Sequence, residues 1–264
     1  MSRIHPTAII SPKAELHESV QVGPYSIIGA GVQIGADSWV GPHVVLSGPL
    51  KIGARNKVYQ FASVGELSQD KTATDDQPTS TVIGDDNIIR EYVSIQRGTM
   101  KEWETKRGET RIGDRNLIMN YCHIAHDCLV GNDTIFSNNA SLAGHVEIGD
   151  WAILGGYTLI YQFCRVGAHA FTAYASGLSG DVPPFVMVQG TPADARAINK
   201  EGLKRRGFTP EEIEPIEDAF KLIYRSGKVM AEVKAELAVM AEGSAHVRLM
   251  SEFIHSGKRP LARG

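Results

Sequence analysis

The segment Asn120–Cys128 (NYCHIAHDC) carries two histidines three residues apart, and the second, His126, is followed directly by Asp127. A hydroxyl is a poor nucleophile until a base takes its proton, and an imidazole titrates in the right range for that work. A neighbouring carboxylate can fix the orientation of the ring and favour its protonated form. Eighteen residues after His126 stands Gly144, next to His145, and eighteen further on stands Gln162. A bare glycine N–H can be approached closely by a developing oxyanion. If residues eighteen apart are spatial neighbours, His126, Gly144 and Gln162 form one column and Asp127, His145 and Phe163 the next. That constellation suits acyl transfer to a hydroxyl. Solvated surface histidines would give the same letters. The imidazoles of His123, His126 and His145 could also hold zinc with one position open.

The elements that position these groups are set by a period of six. Aliphatic residues recur at Ile4, Ile10, Leu16, Val22, Ile28, Ile34, Val40, Leu46, Ile52, Val58 and Val64. They recur again from Ile112 through Ile118, Ile124, Val130, Phe136, Leu142, Ile148, Leu154, Ile160 and Val166 to Leu178, with Thr172 the one polar exception. Ile83, Ile89 and Ile95 keep the spacing in a shifted phase. No helix or ordinary strand sustains that period, so the pattern is a hexapeptide-repeat solenoid. Three hexads make one triangular coil, which is why residues eighteen apart should stack. Coils separated by about 4.8 Å give a prism on the order of 40 Å long.

Glycine often follows the aliphatic residue, as at Gly23, Gly35, Gly53 and Gly149, and is expected to supply backbone conformations forbidden to other residues at the corners. Small residues precede it by two positions. Cys122, Cys128 and Cys164 fall in this small inward position and read as reduced core thiols, not as a disulfide, a metal site or a nucleophile. Two stretches break phase and must leave the prism as loops, residues 67–80 and 98–110. After about Pro192 the helical period takes over. Thr209-Pro210-Glu211-Glu212 reads as an N-cap, a first-turn proline and a capping-box glutamate. Ile213, Ile216, Phe220 and Ile223 follow at helical spacing, Gly227 is a stop, and two further helices are expected over 228–242 and 245–254. The expected organisation is a β-helix over residues 1–191 and a helical domain over 192–264.

Composition bounds the function. A net charge of −3 over 264 residues argues against general nucleic-acid binding. No apolar run reaches membrane-spanning length and no signal-peptide core is present, so a cytoplasmic protein without stable membrane insertion is expected.

The strings YQFASVGE (59–66), IRE (89–91), RGT (97–99), HIAHDC (123–128), AGHVEIGD (143–150), QFCRVGAH (162–169), DVPPFV (181–186) and EGLKRRGF (201–208) run in order along the chain. Together they closely resemble the acyl-carrier-protein-dependent UDP-N-acetylglucosamine 3-O-acyltransferases that open lipid A synthesis, over nearly the whole length. The resemblance implies a left-handed parallel β-helix assembled as a homotrimer. It also implies transfer of an R-3-hydroxyacyl group from acyl carrier protein to the 3-hydroxyl of UDP-N-acetylglucosamine. No cofactor or metal of the protein's own is implied, since phosphopantetheine is carried by the donor. By the same resemblance His126 is the general base, Asp127 its orienting partner and Gly144 the oxyanion donor. His123 and His145 line the cleft, and Gln162, Asn199, Glu201, Arg205 and Arg206 contact nucleotide and donor.

The chain departs from the family pattern at four places. Tyr161 and Gln96 stand where histidines are usual. Lys71 follows Asp70 directly where the family's lysine is spaced further on, which weakens the assignment of both to substrate. Tyr174 replaces a glycine found in long-chain members at the end of the acyl groove, where a ring would shorten the chain accepted. The related alternatives are another hexapeptide acyltransferase, or N-acylation of a 3-amino variant of the sugar.

Overall fold

The computed structural model describes residues 3–100 and 108–263. Residues 101–107, in the second expected loop, lie outside the described residues. The chain winds as a left-handed parallel β-helix followed by helices. Strands of two to five residues stack into three sheets of nine, eight and ten strands, one per side of the prism. Every third strand pairs with the one before it on the same side, so Ile28 registers with Leu46, Ile124 with Leu142, and Leu142 with Ile160. The aliphatic columns fill the interior, and Ile28, Leu46, Val64, Ile95, Ile124 and Leu142 are fully buried. Thr172 enters the same core with its hydroxyl satisfied, bonded to Thr158 Oγ1 at 2.7 Å and accepting from the Gly155 N–H at 3.1 Å. The three cysteines are buried and free, and burial raises each thiol well above its usual range.

Two expectations need correction. The glycines after the aliphatic residues are not where the backbone turns left-handed, apart from Gly65 (φ 82°). Positive φ falls three residues after the aliphatic position, on Tyr25, His43, Tyr121, Asp127 and His145 among others. The glycines are required by close approach between coils instead, since a Cβ at Gly35 would lie 2.6 Å from the Gly53 carbonyl carbon. The boundary at residue 191 also shifts. The strand Asp194–Ile198 pairs antiparallel with Val186–Gln189 and extends the ten-stranded sheet, so the helices start at Lys200.

The phase breaks are excursions from one edge of the prism. The chain leaves the nine-stranded sheet after Ser63–Glu66 and re-enters the eight-stranded sheet at Ser80–Ile83; it leaves again after Ser94–Gln96 and returns at Glu109–Ile112. Coils containing them therefore stack at spacings of 31 and 29 residues, not 18. His126 and Asp127 turn the same edge, between His123–Ile124 and Leu129–Val130.

Among the described residues the tail holds four helices: α1 (Lys200–Arg205), α2 (Pro210–Arg225), α3 (Met230–Gly243) and α4 (Ala245–Ser256). The capping box at Thr209 and Glu212 is formed, and Ile213, Ile216, Phe220 and Ile223 face inward. Helix α1 escapes the periodicity because one six-residue element has too few turns to show a period. The tail is tied back to the prism through Arg165, which donates to Phe253 O at 2.9 Å, and through Asp181, whose N–H donates to Pro260 O at 2.9 Å.

Candidate active site

At the edge between the nine- and eight-stranded sheets, His126 Nδ1 lies 2.9 Å from Asp127 Oδ2. The same Oδ2 accepts from the Thr99 N–H at 2.9 Å and from Thr99 Oγ1 at 2.7 Å, while the Asp127 N–H donates to Thr110 Oγ1 at 2.8 Å. Three donors thus converge on one carboxylate oxygen; the other, Oδ1, is buried with no partner among the described residues. Burial alone would push the Asp127 carboxyl up. The hydrogen bonds from His126 and Thr99 and the nearby His145 outweigh it and hold the group below the ordinary carboxylate range. An aspartate accepting on Nδ1 leaves Nε2 of His126 as the atom that can take a proton.

The expected column is present, and its glycine has a steric reason. The His126 ring lies across Gly144 so closely that a Cβ there would be 2.5 Å from Cε1. The Gly144 carbonyl accepts from the Phe163 N–H at 3.1 Å, and its own N–H has no acceptor among the described residues. In the adjacent column the His145 ring stacks on Phe163 at 4.6 Å and meets His126 edge-on at 5.1 Å. Its Nε2 stands 3.7 Å from Asp127 Oδ2. Ligand atoms of His126, Asp127 and His145 all lie within 4.8 Å of one another, a grouping that could hold a metal ion. His123 is not part of it.

His123 points instead into an apolar groove of about 720 Å³ on the nine-stranded face, lined by Leu142, Leu159, Tyr161, Leu178 and Pro192. Its Nδ1 bonds Ser94 Oγ at 2.7 Å, and burial, helped by the nearby His126, pushes its pKa down. Tyr161 lines this groove and is exposed, and Gln162 beside it is exposed as well. Tyr174 does not line the groove; 70% exposed, it packs edge-on against Tyr157 over Gly156.

A single chain does not bring the remaining expected residues to His126. Asn199 caps α1 by accepting from the Gly202 N–H at 3.2 Å, and its amide donates to His169 O at 3.0 Å. Arg206 donates to Trp151 O at 2.8 Å and lies beside His169. Trp151 and His169 turn a different edge, between the eight- and ten-stranded sheets, and Glu201 and Arg205 are exposed on α1. Asp70 and Lys71 lie on the first excursion, which leaves the His126 edge at an earlier coil; Asp70 is engaged by Thr72, with its N–H at 2.8 Å and its hydroxyl at 2.6 Å. Sequence reasoning missed Ser94, Thr99 and Thr110. The signal available for them was that the second phase break interrupts the coil directly below His126.

A bacterial transferase hexapeptide model matches residues 109–144, and the model of domain 2 of UDP-N-acetylglucosamine O-acyltransferase matches residues 181–262. The acyl-[acyl-carrier-protein]–UDP-N-acetylglucosamine O-acyltransferase of Thiobacillus denitrificans is 51% identical over 263 residues, covering all of both chains. The chain belongs to the UDP-N-acetylglucosamine O-acyltransferase family. A second O-acyltransferase relative, from Stutzerimonas stutzeri, is 50% identical over the same full coverage. Among solved structures, the family member from Moraxella catarrhalis superposes with a TM-score of 0.94 at 42% identity, covering 99% of this chain and 100% of that one. The Francisella novicida enzyme gives 0.95 at 40% identity, covering 99% and 94%.

Proposed function

We infer that this O-acyltransferase moves an R-3-hydroxyacyl group from acyl carrier protein to the 3-hydroxyl of UDP-N-acetylglucosamine, opening lipid A synthesis. The observation that carries the reading is the His126–Asp127 hydrogen bond laid across Gly144 at an edge flanked by an apolar groove. His126 Nε2 takes the proton of the sugar hydroxyl as its oxygen attacks the thioester carbonyl. The tetrahedral oxyanion is met by the Gly144 N–H. As the C–S bond breaks, the imidazolium returns the proton to the pantetheine sulfur, and Asp127 stabilises that imidazolium throughout. The groove takes the apolar acyl chain. Neither step needs a cofactor bound to this chain.

A homotrimer completes the site in this reading, bringing Asn199, Glu201, Arg205, Arg206, Gln162, Asp70, Lys71 and Tyr174 to a cleft between copies. Support comes from exposed aromatic rings along one edge of the prism: Tyr25, Phe61, Tyr92, Tyr121 and Tyr157. Such a ridge suits burial against another subunit. Both substrates place the reaction in the cytoplasm, and no helix among the described residues is long and apolar enough to cross a membrane.

The test is product analysis by mass spectrometry with UDP-N-acetylglucosamine and a panel of 3-hydroxyacyl carrier proteins. An ester at the sugar 3-position is expected, and absence of any acylated sugar nucleotide refutes the reading. The His126, Asp127 and His145 grouping favours a metal-assisted reading second; loss of activity on chelation, restored by one metal, would select it.

A further inference from the structure

On the other side of the His126 edge from the apolar groove, a recess of about 430 Å³ opens between the eight-stranded sheet and the segment after α4. Its walls include His145, Phe163, Glu147 and Arg165, with Lys258 and Arg259 supplied by the tail. The cations are not equivalent. Arg165 is fully engaged, with Asp181 Oδ2 at 2.8 Å, Ser256 Oγ at 3.1 Å and Phe253 O at 2.9 Å. Lys258 has no ion-pair or hydrogen-bond partner among the described residues. Arg259 donates through Nη2 to Ser179 O at a long 3.3 Å and rests over the Tyr161 ring at 5.7 Å, while its buried Nε has no acceptor among the described residues. A buried cationic N–H without an acceptor is costly until one arrives. Two underused cations thus share a concave site with one further carboxylate, Glu147, immediately beside His145.

We propose that Lys258 and Arg259 bind a phosphate oxyanion of a substrate, holding it across the edge from the acyl groove. An arginine fork and a lysine point charge are the chemistry that phosphate oxygens recruit. The proposal rests on the functional reading above, in which both substrates carry phosphate: the phosphodiester of the pantetheine arm and the diphosphate of the sugar nucleotide. It also gives Tyr161 a part, since that ring backs the Arg259 guanidinium from the groove side.

Steady-state kinetics on Lys258→Ala, Arg259→Gln and Arg259→Lys test this, using 3-hydroxyacyl phosphopantetheine, 3-hydroxyacyl pantetheine without its phosphate, and UDP-N-acetylglucosamine as probes. Lys258→Ala and Arg259→Gln are each expected to raise one KM about tenfold with kcat little changed, and Arg259→Lys to recover part of the loss. If removing the donor's phosphate weakens the wild type but not Arg259→Gln, the bound group is the pantetheine phosphodiester. If the KM for the sugar nucleotide rises instead, it is the diphosphate. All KM values within twofold of wild type, in Lys258→Ala and Arg259→Gln alike, overturn the proposal whatever kcat does. Lys258 is exposed, so its truncation spares the fold. Should the wild type transfer no acyl group at all, the functional reading fails separately. The anion site is then decided by calorimetry with UDP and with phosphopantetheine, where equal affinity of wild type and variants for both overturns it.

Discussion

Replacing Asp127 by asparagine separates charge from geometry at this site. In the wild type, the Thr99 N–H, Thr99 Oγ1 and His126 Nδ1 all converge on Oδ2, whereas Oδ1 is buried without a partner among the described residues. An asparagine must therefore place its carbonyl oxygen where Oδ2 was, because an amide NH₂ there would face the backbone donor of Thr99. Ring orientation and tautomer of His126 are kept, and only the negative charge facing the imidazolium is lost. Charge-assisted hydrogen bonds contribute about 1.5–3 kcal/mol, so kcat should fall by about 10- to 150-fold with both KM values nearly unchanged. The amide NH₂ occupies the unpartnered position, and a buried donor left unsatisfied costs about 1–3 kcal/mol of stability. Adding Thr99→Val removes one of the three donors that hold the amide in this sense. The double variant should then lose more activity than the two single changes multiplied together. The assay is kcat and KM from radiolabelled acyl transfer, with thermal unfolding measured alongside. A folded Asp127→Asn protein with kcat within twofold of wild type would refute the assignment of Asp127 as the imidazolium's partner.

Three further outcomes are expected. Gly144→Ala places a methyl against the His126 ring, and displacing that ring by about 1 Å should lower kcat about 100-fold, read in the same assay. Tyr174 lies outside the groove of its own chain, so its ruler role rests on the proposed trimer bringing the ring to the bound chain. In that arrangement Tyr174→Gly should shift donor preference toward longer 3-hydroxyacyl chains by about tenfold in relative kcat/KM, since overpacking a bound chain costs about 1–3 kcal/mol; an unchanged length profile would sink the ruler role. His169, packed against Phe185 and Phe208, has its pKa pushed to about 4 by burial and by the neighbouring Arg206 and His246 charges. A depressed histidine stabilises fully above its unfolded value of about 6.5, and that stability is lost as pH falls toward 4. Linkage therefore makes the folded state lose stability as pH falls below about 6.5, so Tm should drop between pH 7 and 5 in the wild type and drop less in His169→Phe.

The period of six made the prism and its columns legible because the same contact repeats at every coil. Ile28, Leu46 and Ile124 are inside for the reason their spacing gives, and His126 and Gly144 stack as the eighteen-residue offset requires. The repeat did not show why the glycines recur. Close approach of backbones and left-handed φ leave the same letter, and only the folded chain assigns φ 59° to Asp127 and coil contact to Gly35. Thr99 was hidden because an inserted loop changes the stacking offset to 29, which removes the arithmetic that located Gly144. Lys258 and Arg259 were hidden for another reason. Arg259 reaches Ser179 across 80 residues and lies over the still more distant Tyr161, with no local pattern to announce either contact.

The central claim is that His126 is the base that activates the acceptor hydroxyl. It is tested most directly by the turnover of His126→Gln with saturating UDP-N-acetylglucosamine and 3-hydroxyacyl carrier protein. General-base catalysis predicts a fall in kcat of about 10²- to 10⁴-fold, with the Tm and both KM values close to wild type. A kcat within twofold of wild type would contradict the claim and move the chemistry away from this edge of the prism.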